Sequence, residues 1–465
     1  MKEKKGAITM STQYFKGSLF HTPSHGELEF IKDALLTVDE KGLIQTILEP
    51  SDAAYVEHLT NARASNQFVE LAEGQYFLPG FIDLHVHAPQ WPQAGVALDA
   101  PLATWLEKGT FPLEAKYADV NFAKEVYNDL VAHLLSLGTT TVLYFATIHQ
   151  EASLALAEIC GKQGQRGLVG KVVMDLESMN PDFYRDNSVA ESLEATESFI
   201  LAVKELGKDV KQGVYPVVTP RFVPSCSAEA LAGLGALAQK YDVHVQSHCS
   251  ESQWAHDHVI ERFGKRDTEV LNDFGLLHDK SVMAHCNFLD ESDGEIYMET
   301  GTAVAHCPIS NGYFANSVFP VKKFKEQGLE MGLGTDISGG YSPSLYENIR
   351  QAVISSRMLE DGVDVNVGPE NRGVQNSRIS VVEAFSLATQ GGGEALSLPI
   401  GVLKPGYACD LQVIDTNVKN HRISSFGVFE KPEEILQKIL YLATKENIRQ
   451  VWVQGNLVHD KNEGA

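Results

Sequence analysis

The rhythm of apolar and polar positions changes twice along this chain. Up to about residue 78, short runs alternate with a period of two, as in Ala34-Leu35-Leu36-Thr37-Val38 and Leu43-Ile44-Gln45-Thr46-Ile47-Leu48, divided by the turn-forming Asp39-Glu40-Lys41-Gly42. From Pro79 to about residue 400, strand-length apolar runs alternate with stretches whose apolar residues recur every three or four positions. Beyond 400 the strand rhythm returns at residues 409–414 and again at 450–459, a hairpin with Gly455-Asn456 at its turn.

The middle segment predicts eight strands. The first opens at Phe81 and is stopped by Pro89; the others fall at 139–145, 168–174, 213–218, 243–247, 281–284, 303–305 and 330–334. Helical spacing separates them. In 121–137, for example, Phe122, Val126, Leu130, Leu134 and Leu137 share one face and Gly138 ends the run. Continuous apolar runs such as Val142-Leu143-Tyr144-Phe145 and Val214-Tyr215-Pro216-Val217-Val218 suit a parallel sheet buried on both faces. The expected fold class is α/β: a (β/α)8 TIM barrel over residues 79–400, inserted into a small β-sandwich domain built from residues 1–78 and 401–465. Residues 91–118 read as an irregular loop at a strand end, where long loops are usually functional.

Composition narrows the function. Lys and Arg number 38 against 61 Asp and Glu, a formal charge of −23 that disfavours nucleic acid and anionic membrane as partners. The N-terminal Met1-Lys2-Glu3-Lys4-Lys5-Gly6 is followed by no apolar signal core, and no apolar stretch is long enough to span a bilayer. Six cysteines are scattered without C-x-x-C spacing and read as reduced, buried residues of a cytoplasmic protein.

On the first strand Ile82, Leu84 and Val86 share one face, and Asp83, His85 and His87 the other. A second H-x-H, His256-Asp257-His258, lies in a helical stretch, where residues two apart do not share a face. In a barrel of this kind reactive groups sit at the C-terminal strand ends. The polar residues expected on that rim are His85, His87, Arg221, His248, His285 and Asp336. Imidazole and carboxylate without thiolate make a metal constellation suited to Zn²⁺, with Fe²⁺ as the other fitting ion.

The stretch Pro79-Gly80-Phe81-Ile82-Asp83-Leu84-His85-Val86-His87, with His248, His285 and Gly334-Thr335-Asp336, resembles the amidohydrolase superfamily of metal-dependent deaminases and hydrolases, from about residue 30 to 459. Its narrower motifs resemble the guanine deaminases: His87-Ala88-Pro89-Gln90, Leu98-Asp99-Ala100-Pro101-Leu102, Thr110-Phe111-Pro112, Thr219-Pro220-Arg221-Phe222, Gln246-Ser247-His248-Cys249-Ser250-Glu251 and Ala305-His306-Cys307-Pro308. Cys249 and Cys286-Asn287, beside the expected ligands, are mild departures.

The resemblance implies one zinc per subunit, held by His85, His87, His248, His285 and Asp336. Relatives with two metals bridge them by a carboxylated lysine at the fourth strand, where this chain has Thr219, Pro220 and Arg221, with Lys211 at the opposite end. It implies guanine as the small-molecule substrate, converted to xanthine and ammonia, and a homodimer. Asp336 is then ligand and general base, and Glu251 the acid that protonates ring N3; read alone, Glu251 is equally a helix N-terminal charge. His87, Gln90, Arg221, Phe222, His248, Glu251 and Asp336 form the expected substrate site. Arg221 offers a donor fork for a carbonyl, Gln90 a donor and an acceptor, and Phe222 a stacking face. His306 either lines the pocket or caps its strand, and Asp83 is a candidate for orienting an imidazole.

Three rivals stand beside this reading. A deaminase of another heterocyclic base on the same barrel is the alternative function. The small zinc deaminases carry H-x-E together with P-C-x-x-C, and no P-C-x-x-C occurs here. A metal-free scaffold of the same fold should have lost ligands, whereas this chain keeps all five.

Overall fold

The computed structural model describes residues 12–461; the N-terminal lysine stretch read above lies outside the described residues. Eight parallel strands run in chain order around one sheet: Phe81–His87, Thr139–Phe145, Arg166–Val173, Val214–Pro220, His244–Cys249, Ser281–His285, Ala303–His306 and Met331–Leu333. Each lies within a few residues of its sequence expectation. Helices connect successive strands, among them Val120–Ser136, Gln150–Gln163, Val189–Gly207, Ala228–Tyr241 and Glu291–Thr300. The chain is therefore a (β/α)8 barrel.

Burial explains the continuous apolar runs. All seven residues of Thr139–Phe145 are buried. Ile82 and Leu84 pack with Leu143, Leu168, Val217 and Val282, while Val86 joins a second cluster with Leu130, Leu134 and Leu156 of the helices Val120–Ser136 and Gln150–Gln163. Apolar burial of this extent, at roughly 25 cal/mol per Å², is the main force holding helices to the sheet.

The barrel closes just past its last strand. The Asp336 N–H donates to the His85 carbonyl at 2.8 Å, and the His87 N–H donates to the Ile337 carbonyl at 2.8 Å. Gly334 makes this approach possible, since a Cβ there would stand 2.7 Å from the His85 Cβ.

Strands from both chain ends form a separate mixed sheet. Its order is Asn456–Asp460, Ile448–Val453, Leu411–Asp415, Gln75–Pro79, Gln13–Ser24, Glu27–Val38, Ile44–Leu48, with Phe68–Glu70 also paired to Gln13–Ser24. The expected sandwich is thus realised as one continuous hydrogen-bonded sheet. The final hairpin turns at Gln454-Gly455, one residue before the expected Gly455-Asn456, because Val453 pairs with Asn456. Both Gln454 and Gly455 take positive φ, as the tight turn requires.

Two helices in these terminal segments escape a strand-only reading. Tyr55–Ala64 buries only Tyr55 and Ala62 and shows almost no apolar face. Pro432–Leu442 carries its own signal: Pro at the first turn, and Leu436, Ile439 and Leu440 buried at helical spacing. Residues 91–118 are irregular only in part: 94–101 run as turns and bends, and short helical turns flank them at Ala88–Gln93, Leu102–Trp105, Leu106–Thr110, Phe111–Glu114 and Ala115–Ala118. Among the described residues, no helix is long and apolar enough to cross a membrane.

A buried ion pair ties barrel to terminal sheet. Arg166, at the start of the third barrel strand, donates to both carboxylate oxygens of Asp410, and also to Gln454 Oε1 at 2.6 Å and Thr141 Oγ1 at 3.0 Å. Removing one partner leaves a buried charge uncompensated. Asp410→Ala is therefore expected to destabilise the fold by about 3–5 kcal/mol, read as a lowered midpoint in chemical denaturation.

Candidate active site

The first-strand periodicity that buries Ile82 and Leu84 turns His85 and His87 the other way, onto the barrel rim. His248 arrives from the fifth strand, His285 from the end of the sixth, and Asp336 from the closing segment. All five expected ligands are brought together and buried. Asp336 Oδ1 lies 3.2 Å from His85 Nε2 and 3.4 Å from His87 Nε2. His87 Nε2 lies 3.0 Å from His248 Nε2, and His285 Nε2 lies 3.9 Å from Asp336 Oδ2.

The outer ring nitrogens fix how two of these imidazoles point. His248 Nδ1 donates to the Arg221 carbonyl at 2.6 Å. His285 Nδ1 donates to Asn311 Oδ1 at 2.9 Å. Both bonds leave Nε2 with a free lone pair directed inward. The Nε2 atoms of His85 and His285 are buried without a hydrogen-bond partner, which is costly unless something electropositive sits between them. The donor atoms of His85, His87 and His248 all lie within 4.8 Å of one another. Ligand atoms about 3.3 Å apart are what a tetrahedral ion with bonds of about 2.0–2.1 Å needs, so these residues could hold a divalent metal.

Electrostatics agree with the geometry. Burial, then the neighbouring imidazoles, hold His87 and His248 well below the usual histidine range, so both are neutral and able to ligate. Burial lowers His85 too, against the pull of Asp336. Burial works against the charge of Asp336, but positive charge at His85, 3.2 Å away, and at His285 outweighs it and holds this carboxyl at about 2; a cation bound amid neutral imidazoles would act in the same direction. Glu251 goes the other way: burial raises it, with His285 opposing and Asp336 adding. A carboxylate that stays ionised and a carboxyl biased to hold a proton stand at one rim, the pairing that acid–base chemistry uses.

Above the cluster lies a cavity of about 510 Å³, lined among others by His87, Gln90, Phe111, Arg221, Phe222, His248, Glu251 and Asp336. Every residue expected to meet a substrate is on that wall. Two roles that the sequence leaves open are answered by contacts. Asp83 does not orient an imidazole: it accepts the Thr335 N–H at 2.9 Å and the Thr335 hydroxyl at 2.6 Å, and the His85 backbone N–H at 3.2 Å. It ties the first strand to the eighth, and burial pushes its carboxyl up to about 7. His306 does not line the cavity; its ring packs at 5.8 Å from Phe319, and burial lowers it to about 3.

The second H-x-H splits as the helix geometry requires. His256 packs on Phe288 and bonds the Ser250 hydroxyl, whereas His258 stacks on Trp254. Among the described residues neither joins a ligand cluster. Lys211 is exposed at the start of the fourth strand, away from this rim. Three residues to which sequence reasoning assigned no role support the site: Asn311 behind His285, Thr335 beside Asp83, and Glu114, which pairs with Arg221 at 2.6 Å. Glu114 stands two residues past the Thr110-Phe111-Pro112 motif, which was its only available signal.

Comparison with known proteins agrees with this geometry. Residues 76–458 match the model of the amidohydrolase family. The chain is 37% identical over 457 residues to a guanine deaminase of Dictyostelium discoideum, covering 96% of this chain and 97% of that one. It is likewise 37% identical to the human guanine deaminase, covering 96% of each. Among solved structures, a guanine deaminase from C. acetobutylicum with bound guanine in its active site superposes with a TM-score of 0.84 at 32% identity, over 97% of this chain and 100% of that one.

The Asn311 bond gives a direct check on the metal reading. Loss of such an outer partner typically weakens metal affinity about 10–100-fold, and Asn311→Ala is expected to do so, measured by competition with a chromophoric chelator.

Proposed function

This chain belongs to the amidohydrolase family, and from that premise we propose that it is a guanine aminohydrolase, converting guanine and water to xanthine and ammonia. One observation carries the substrate reading. Arg221 and Gln90 share a cavity wall beside a cluster of four histidines and an aspartate, so a base-reading pair stands next to a hydrolytic centre.

In this reading His85, His87, His248, His285 and Asp336 hold one zinc ion, the ion that suits imidazole and carboxylate ligands without thiolate. The ion, when bound, supplies a water acidic enough to act as a nucleophile near neutral pH. The chain's own residues do the rest. Arg221 donates to the O6 carbonyl, Gln90 meets the N1 edge, and Phe222 offers a ring face to the purine. Asp336, a carboxylate beside His85 and His87, accepts the proton of the attacking water as its oxygen bonds to C2. Glu251, biased by burial to carry a proton, gives it to N3. As the C2–N2 bond breaks, a proton passes to the departing nitrogen through these carboxyls, and ammonia leaves with xanthine as product. The cavity wall built by His87 and His248 keeps the reacting edge over the cluster.

The same reading includes a homodimer in the cytoplasm, with the acidic charge of −23 keeping it off nucleic acid and anionic membrane.

The test is purified protein offered guanine, adenine, cytosine and S-adenosylhomocysteine. Guanine is expected to be the substrate turned over; activity confined to another of these would overturn the reading. Arg221→Ala removes a charged donor worth about 1.5–3 kcal/mol, so guanine kcat/KM is expected to fall by about 10–100-fold or more while zinc content stays at the wild-type level. Equal loss of zinc and activity would mean that Arg221 only supports the fold.

A further inference from the structure

Gln90 and Arg221 are held from behind by one carboxylate that the cavity never touches. Glu114 is only 1% exposed and is absent from the cavity wall, on which both Gln90 and Arg221 stand. Its Oε2 accepts from Arg221 Nη1 at 2.6 Å, and its Oε1 accepts from Arg221 Nη2 at 3.2 Å and from Gln90 Nε2 at 2.9 Å. Phe111, one helical turn earlier, lies 5.1 Å from the same guanidinium. The turn Phe111–Glu114 therefore clamps Arg221 between a ring and a carboxylate.

These bonds settle which way the Gln90 amide faces. A carboxylate paired with a guanidinium can only accept, so the NH2 end of the amide must face Glu114. The carbonyl end then faces away, and Gln90 Oε1 is buried with no partner. A buried acceptor on a cavity wall without a partner awaits a donor. Arg221 has five N–H donors; Glu114 engages two of its nitrogens, and Nη1 also lies 3.7 Å from Met174 Sδ. Donors remain for the cavity. The pair thus presents one donor and one acceptor, neutralised as a whole by Glu114.

We propose that Glu114 is a positioning and specificity-determining residue: it fixes Gln90 as an acceptor and Arg221 as a donor, so that the wall reads a 6-oxopurine edge and refuses a 6-aminopurine edge. A 6-oxopurine offers an O6 acceptor beside an N1–H donor, which matches. A 6-aminopurine offers an amino donor beside an N1 acceptor, which sets donor against donor and acceptor against acceptor. If Gln90 could flip, its NH2 would accommodate the wrong edge; Glu114 forbids that flip. The inference rests on the guanine reading above and assigns its selectivity to a residue outside the cavity.

The test compares guanine with 2,6-diaminopurine, which carries the same reacting 2-amino group on the reversed edge. The wild-type holoenzyme is expected to prefer guanine by about 10⁴-fold in kcat/KM, the discrimination typical of sites with buried polar readers. Glu114→Gln lets the Gln90 amide turn and weakens the hold on Arg221. Guanine KM is expected to rise at least about tenfold with kcat changed less, and the preference over 2,6-diaminopurine to narrow by at least about tenfold. Metal content should stay unchanged, and Glu114→Asp, which keeps the charge, should recover part of the preference. Guanine kinetics unaltered by Glu114→Gln, or losses in equal proportion on both bases, would overturn the proposal. The unaltered protein gives an independent reading by calorimetry: hypoxanthine binding at least about tenfold tighter than adenine supports the fixed amide, and equal affinity contradicts it. A wild-type protein that deaminates no guanine strikes the catalytic reading alone, and the calorimetry then still decides the edge.

Discussion

Closure of the barrel between its first and eighth strands is the constraint on which the site depends. Asp83 takes both the N–H and the hydroxyl of Thr335, and the next residue, Asp336, donates its N–H to the carbonyl of His85. One set of hydrogen bonds therefore closes the sheet and sets the distance between a carboxylate and two imidazoles. Gly334 permits the approach, because any side chain there would collide with His85. The fold and the centre are not separable here. A change that loosened the seam would first move Asp336 away from His85 and His87.

Around that seam, burial does different work on different groups. It strips charge from the imidazoles, so that His87 and His248 stay neutral with lone pairs inward. For Asp336 it is outweighed by positive charge beside the carboxyl, whereas for Glu251 on the same rim it prevails and raises the carboxyl above its usual range. On the opposite wall it would make a lone Arg221 expensive. Burial works against the Arg221 charge, but the charge and hydrogen bonds of Glu114 outweigh it and raise the guanidinium above its ordinary value. Glu114 thus keeps a cation present where a neutral base is to be read.

Much of this was legible in the sequence, for definite reasons. Period-two alternation fixed the faces of the first strand, and with them His85 and His87. Continuous apolar runs marked the buried strands, and the barrel-end rule then placed His248, His285 and Asp336 on one rim. What stayed hidden depends on contacts between distant segments. Asn311, 26 residues from His285, and Thr335, 252 residues from Asp83, are polar residues of common type whose partners only the fold supplies. Asp83 was a candidate for orienting an imidazole because it shares a strand face with the histidines, yet Thr335 at the neighbouring strand end supplies its donors. Glu114 sits in 91–118, a stretch of broken helical turns with no single period to read, and its link to Arg221 spans 107 residues. The terminal helix Pro432–Leu442, by contrast, had a readable pattern of apolar residues three and four apart, and only its strand-rich surroundings masked it.

The most direct test of the central claim is the ultraviolet assay for guanine loss and xanthine formation, run on one preparation as purified, after chelation, and after restoring zinc. Conversion of guanine to xanthine that is lost on chelation and regained with zinc is the expected result. Undiminished conversion after complete metal removal, or no conversion of guanine at any stage despite bound metal, would contradict the account.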